Sequence, residues 1–134
     1  MHGPLVDAWG TRGDVYLDGG HNPHAAEIIA AWMTEQRSPV TLMLGMMARK
    51  DAAAFLKPLV PHVTQLIAVP IPGSEAECYA PEMLAAIARE KGIAQVIPAA
   101  SIADAAEKLT EMSQGTLLIV GSLFLAGEIL KNHS

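Results

Sequence analysis

The chain has 134 residues, of which 51% are hydrophobic and 17% charged, enough to bury a core and too apolar for intrinsic disorder. Nine basic residues against fourteen acidic give a net charge of −5, which argues against non-specific binding to nucleic acid or anionic membranes. Cys78 is the single cysteine, so no internal disulfide can form, and a reduced, cytoplasmic setting is the simplest expectation.

Residues 1–13 hold Gly3, Pro4, Gly10 and Gly13 with no clear period, and read as a lead-in linker to one domain spanning 1–134. Such an opening suggests the back half of something longer. No basic segment precedes an apolar run, so no signal peptide is expected. No apolar run reaches the roughly 18 residues that would cross a bilayer.

Val15-Tyr16-Leu17 is a strand, Gly19 and Gly20 a tight turn, and Asn22-Pro23 a helix start with Asn22 as N-cap. The following helix is predicted to run to about Glu35, with Ala25, Ile28, Ile29, Trp32 and Met33 on its inner face. Val40 to Gly45 is a continuous apolar run, the pattern of a strand covered on both sides. Asp51 caps a helix through roughly Leu59 that packs Phe55, Leu56 and Leu59, with Pro58 kinking or ending it. Gln65 to Val69 is the third strand, and a Pro- and Gly-rich loop carrying Cys78 runs on to about Ala80. Pro81 opens a helix with Leu84, Ala85, Ile87 and Ala88 inward and Gly92 as its C-terminal stop. Gln95 to Ile97 is a short strand. Ser101 and Asp104 form an acidic capping box for a helix presenting Ala105, Leu109 and Met112. Thr116 to Gly121 is the last buried strand, after which Ser122 caps a final helix.

Five βα units of this kind predict an α/β fold, a mostly parallel sheet with helices on both faces. In such a sheet every βα junction opens on one edge, where ligands bind. That edge collects Asp18 and His21, Gly45 through Lys50, the 70–80 loop, and Gly121 with Ser122. Arg49 or Lys50 could take a carboxylate, Ser122 a hydrogen bond, and Asp18 a ribose hydroxyl or an amine. Each also has a plain structural reading: Asp18 as a local hydrogen-bond acceptor, His21 as a solvated loop residue, Ser122 as an N-cap, Arg49 and Lys50 as solvated charges. His2, His24, His62 and His133 have no metal-ligand spacing, and no metal site is expected. There is no P-loop, no dinucleotide fingerprint and no nucleophile elbow.

Three blocks together resemble the C-terminal domain of folylpolyglutamate synthase/dihydrofolate synthase, in the Mur ligase superfamily. Leu17-Asp18-Gly19-Gly20-His21-Asn22-Pro23-His24-Ala25 is similar to the family's L-D-G-A-H-N-P-x-A block, with Gly20 where Ala is usual. Gly45-Met46-Met47-Ala48-Arg49-Lys50-Asp51 is similar to G-M-x-x-x-K-D, and Gly121-Ser122-Leu123-Phe124-Leu125-Ala126-Gly127-Glu128 to G-S-x-x-x-x-G/A-E.

The resemblance implies an ATP-dependent ligase that joins L-glutamate to dihydropteroate or a reduced folate through an acyl phosphate. It implies Asp18 and His21 as catalytic-site residues, His21, Ser122, Arg49 and Lys50 near the incoming glutamate, and Asp18 with Asn22 on the nucleotide side. ATP and Mg would serve the complete enzyme, with none bound by this domain alone. The partner would be the family's N-terminal ATPase domain, which these residues do not include, so the chain alone is expected to be inactive. Two other readings are a Mur-type peptidoglycan amino-acid ligase domain and a stand-alone, non-catalytic α/β binding module.

Overall fold

The computed structural model describes residues 15–17, 23–35, 40–109 and 116–120. Among them lie five strands and four helices. In chain order these are β1 (Val15–Leu17), α1 (Pro23–Met33), β2 (Val40–Leu44), α2 (Ala52–Leu56), β3 (Val63–Ala68), α3 (Pro81–Lys91), β4 (Gln95–Pro98), α4 (Ile102–Leu109) and β5 (Thr116–Val120). The strands form one sheet in the order β1-β5-β2-β3-β4. Every pairing is parallel, as the continuous apolar runs predict.

The strands alternate in two sets of side chains. Leu42, Leu44, Leu66, Ala68, Leu118 and Val120 share one core with residues of α1, α2 and α3. Met43, Ile67, Leu117 and Ile119 share the other with Ala105, Ala106 and Leu109 of α4. Burial on both faces is why these strands read as unbroken apolar runs.

The helix boundaries follow local chemistry. The Asp51 side chain accepts a hydrogen bond from the Ala54 N–H at 3.0 Å, capping α2. Regular helix stops at Leu56, two residues before Pro58, shorter than predicted. The chain then passes through a 3-10 turn at Val60–His62. Gly92 closes α3 at φ 110°, a left-handed conformation that glycine adopts without strain.

Three further expectations need correction. On α1 the buried positions are Ala26, Ile29 and Met33, while Ile28 is 60% exposed and Trp32 only half-buried. The inner stripe is thus shifted from the predicted one, because two adjacent isoleucines lie about 100° apart around the helix axis and only one can face the sheet. β3 begins at Val63, two residues earlier than predicted. A bulge hides that start: Val40 pairs with Val63, and then Thr41 pairs with Gln65, leaving Thr64 unpaired. The Thr64 hydroxyl donates to the Val40 carbonyl at 3.1 Å across the irregularity. Val63 and Leu66, three apart in sequence, consequently share one core.

The capping box of α4 is also displaced. Ser101 Oγ accepts from the Asp104 N–H at 3.0 Å as expected, but the Asp104 carboxylate accepts from the Ala100 N–H at 2.8 Å, one residue before the serine. The same carboxylate takes Lys108 Nζ at 2.7 Å. These bonds, that from Lys108 first, hold Asp104 below the usual aspartate range. A lowered folded value means stability present above the unfolded value and lost as pH falls through the folded one. Asp104→Asn should therefore lower the melting temperature at neutral pH, with the two proteins converging in acid. Thermal unfolding across the acid range checks this, and parallel curves would remove the residue from the pH response.

One buried polar pair escaped sequence analysis. Thr41 and Gln65 face each other across β2 and β3, 1% and 3% exposed, and Gln65 Nε2 donates to Thr41 Oγ1 at 2.7 Å. Thr41→Val deletes that acceptor inside the sheet and should cost about 1–3 kcal/mol in denaturant unfolding. Adding Gln65→Leu should recover part of the loss, because the donor that lost its Thr41 acceptor goes with it. A double variant less stable than the single one would contradict this account.

Candidate functional site

In a parallel sheet the carboxyl ends of all strands share an edge, and here it is marked by Leu17, Leu44, Ala68, Pro98 and Val120. Hydrogen bonding continues one residue past β2, β3 and β4. Gly45 N donates to Val120 O at 3.3 Å, Val69 N to Leu44 O at 2.9 Å and Ala99 N to Ala68 O at 2.8 Å. The connections leaving the edge thus start from fixed points.

The first of these is the Met46–Lys50 turn, which delivers the chain from β2 to the Asp51 cap. Met46 is fully buried beneath it. The turn does not rest on local bonds alone. Met47 forms an antiparallel bridge with Cys78. Ala48 N donates to Glu77 O at 2.9 Å, and Tyr79 N to Met46 O at 2.9 Å. The Tyr79 hydroxyl donates to the Lys50 carbonyl at 2.5 Å. Two segments about thirty residues apart in sequence are zipped together over the sheet edge.

The 70–80 loop that does this is itself compact. Ser74 N donates to Ile71 O at 3.0 Å, and Glu77 N and Cys78 N both donate to Ser74 O at 3.0 Å. Gly73 takes φ 81°, with its N–H on Glu75 Oε2 at 3.0 Å. The Cys78 sulfur is buried, accepts from Ile71 N at 3.4 Å and donates to Glu75 O at 3.7 Å. Cys78 therefore belongs to the packing of the loop.

Of the residues predicted for the site, Arg49 and Lys50 lie on this turn, Arg49 exposed and Lys50 half-buried. Lys108 pairs with Asp104 and Arg89 donates to Val96 O, whereas the head groups of Arg49 and Lys50 have no such partner among the described residues. A guanidinium and an ammonium on a fixed turn suit a carboxylate or phosphate oxygen. Asp18, His21, Asn22 and Ser122 lie outside the described residues, as does Met112. The strands that precede their blocks in sequence, β1 and β5, are neighbours, with Leu17 in register with Ile119.

Sequence reasoning missed Tyr79. Its signal was an aromatic residue with a polar tip in a loop otherwise made of Pro, Gly and small residues, directly before a helix start. Among the described residues no three His, Cys, Asp or Glu side chains converge on a point that could hold a metal ion. Among them, too, no helix is long and apolar enough to cross a membrane.

Comparison with known proteins gives a consistent result. The family model for the C-terminal domain of dihydrofolate synthetase matches residues 6–132. Comparison with curated protein sequences gives no match. Among solved structures, folylpolyglutamate synthase of Mycobacterium tuberculosis, complexed with ADP and AMPPCP, is 23% identical with a TM-score of 0.77, over 87% of this chain and 29% of that one. E. coli FolC in complex with DHPP and ADP is 25% identical with a TM-score of 0.74, over 87% of this chain and 28% of that one. A bifunctional folylpolyglutamate synthase/dihydrofolate synthase with Mn, AMPPNP and L-glutamate bound is 20% identical with a TM-score of 0.74, over 91% of this chain and 29% of that one. The likeness is one of fold, and the chain spans less than a third of the length of these proteins.

Proposed function

The chain belongs to the family of dihydrofolate synthetase C-terminal domains, and we propose that it is the glutamate-side domain of an ATP-dependent folate–glutamate ligase. The observation that carries this reading is the family match over residues 6–132, which takes in all three sequence blocks in order. The parallel edge supports it, since β1, β2 and β5 are adjacent and each immediately precedes one block.

In the proposed reaction ATP phosphorylates a carboxylate of dihydropteroate or of a reduced folate, releasing ADP. The amine of L-glutamate attacks the acyl carbon, the amide C–N bond forms, the acyl C–O bond breaks, and inorganic phosphate leaves with that oxygen and the bonding pair. The amine loses a proton to solvent or to a neighbouring base. No covalent enzyme intermediate is needed, so this domain would contribute by positioning and charge stabilisation. Arg49 and Lys50 would meet a glutamate carboxylate, with His21 and Ser122 beside them, and Asp18 and Asn22 would lie on the nucleotide side. The relatives' ADP, AMPPCP, DHPP and L-glutamate ligands support that substrate set. Mg would accompany the nucleotide phosphates and be held outside the described residues, whose carboxylates do not converge. An N-terminal ATPase domain would complete the enzyme, in the cytoplasm.

The test is phosphate release from ATP by the full-length protein that carries this chain. It would be supplied with L-glutamate and, in turn, dihydropteroate, tetrahydrofolate and a peptidoglycan precursor. Release that requires both glutamate and a pterin is expected. Release only with the precursor, or with none of them from a folded protein, would overturn the proposal. The 134-residue chain alone is expected to release none.

A further inference from the structure

Arg49 and Lys50 sit on a turn whose backbone is fixed from outside. Within the turn the described backbone bond is Lys50 N to Met47 O at 3.0 Å. The other restraints come from the 70–80 loop, and Tyr79 supplies two of them. Its N–H holds the Met46 carbonyl at 2.9 Å, at the start of the turn, and its hydroxyl holds the Lys50 carbonyl at 2.5 Å, at the end. One residue therefore brackets the segment that carries both cations. The main chain of Lys50 is engaged while its ammonium group, like the Arg49 guanidinium, has no partner among the described residues. That is the arrangement expected where two long cationic side chains must meet an anion without first ordering their own backbone.

We propose that Tyr79 is a positioning residue for glutamate recognition, fixing the Met46–Lys50 turn so that Arg49 and Lys50 are presented together to the substrate carboxylates. The proposal rests on the reading above that these two cations meet the incoming amino acid. The Tyr79 ring is half-buried against the α1–α2–α3 core, so Tyr79→Phe keeps the packing and removes only the hydroxyl. The backbone N–H bond survives the change, which confines the test to the Lys50 end of the turn.

The experiment measures KM for L-glutamate and for ATP in the full-length ligase for three proteins: Tyr79→Phe, the double variant Arg49→Ala/Lys50→Ala, and the triple combination. Loss of one neutral hydrogen bond sets the expected rise in glutamate KM for Tyr79→Phe at roughly 2- to 12-fold. ATP KM and melting temperature should stay near wild type, and Tyr79→Phe should add nothing further in the double-variant background. A rise in both KM values alongside a lower melting temperature would make Tyr79 merely structural and overturn the proposal. So would an unchanged glutamate KM in Tyr79→Phe when the double variant raises it. If the double variant itself leaves glutamate KM unchanged, the cations are not at the site, and the reading beneath the proposal fails with it. Should a variant fold poorly, amide hydrogen exchange at Lys50, whose N–H closes the turn on Met47 O, decides the structural half in Tyr79→Phe. Faster exchange at Lys50, with Tyr79 and α3 unchanged, is expected, and wild-type exchange at Lys50 would overturn it.

Discussion

Phe55→Ala should destabilise the domain by about 3–5 kcal/mol, out of a total that for a domain of this size is about 5–15 kcal/mol. The size follows from how α2 is held. It has five residues, too few to be helical on propensity, with an Asp51 cap at one end and Pro58 just past the other. What keeps it in place is burial: Phe55, Leu56 and Leu59 are each 0% exposed. α2 packs between α1 and α3, contacting both. Cutting Phe55 back to Ala opens a void in the core that α1 and α3 cannot both close on. Denaturant unfolding of the chain would measure the loss. A change under about 1 kcal/mol would mean that the site collapses freely and that burial of Phe55 is not what holds α2. The effect should also reach the edge, because Asp51, which caps α2, directly follows Lys50.

His21→Ala and Ser122→Ala in the full-length ligase should each raise KM for glutamate roughly 10- to 150-fold, the range for losing one charge-assisted hydrogen bond. KM for ATP should move much less. The expectation comes from the two blocks that bracket the domain, which follow β1 and β5 in sequence, and these strands pair in register from Val15↔Leu117 to Leu17↔Ile119. Asp18→Ala should act differently, lowering kcat or weakening ATP use. Steady-state kinetics with each substrate varied separates the two patterns. Unchanged glutamate KM in both the His21 and Ser122 variants would return those residues to structural roles, as wild-type kinetics would for Asp18.

Much of the fold was legible because a covered parallel strand has a simple signature. Val40 to Leu44 and Leu117 to Val120 are apolar apart from Thr41 because they are packed on both sides. Helix ends were legible where one residue type has one reason to be there, as with Asp51 and Gly92. The failures are equally physical. The start of β3 was hidden because the Thr64 bulge breaks the two-residue period. The inward face of α1 was misjudged because Ile28 and Ile29 are equally apolar, and which one turns inward depends on the sheet. Thr41 and Gln65 satisfy each other across strands, a relation that no single-strand pattern carries. At the candidate site, the Gly45–Asp51 block was placed at the correct edge. The 70–80 segment read only as a loop because its Pro and Gly content signals a lack of regular structure, while what orders it is backbone hydrogen bonding to a distant turn.

The strand order has a consequence for how the chain can be made. β5 lies between β1 and β2, so β1 has no partner among the described strands until a segment on the order of a hundred residues later leaves the ribosome. β2, β3 and β4 can pair as they emerge, but the flank of β2 that β5 will occupy, along Val40 to Leu44, stays open meanwhile. An apolar strand edge awaiting its mate is a template for the wrong neighbour. The period of greatest aggregation risk should therefore run from the emergence of β2 until β5 pairs with it, and shortening it depends on how fast the Thr116–Val120 segment docks.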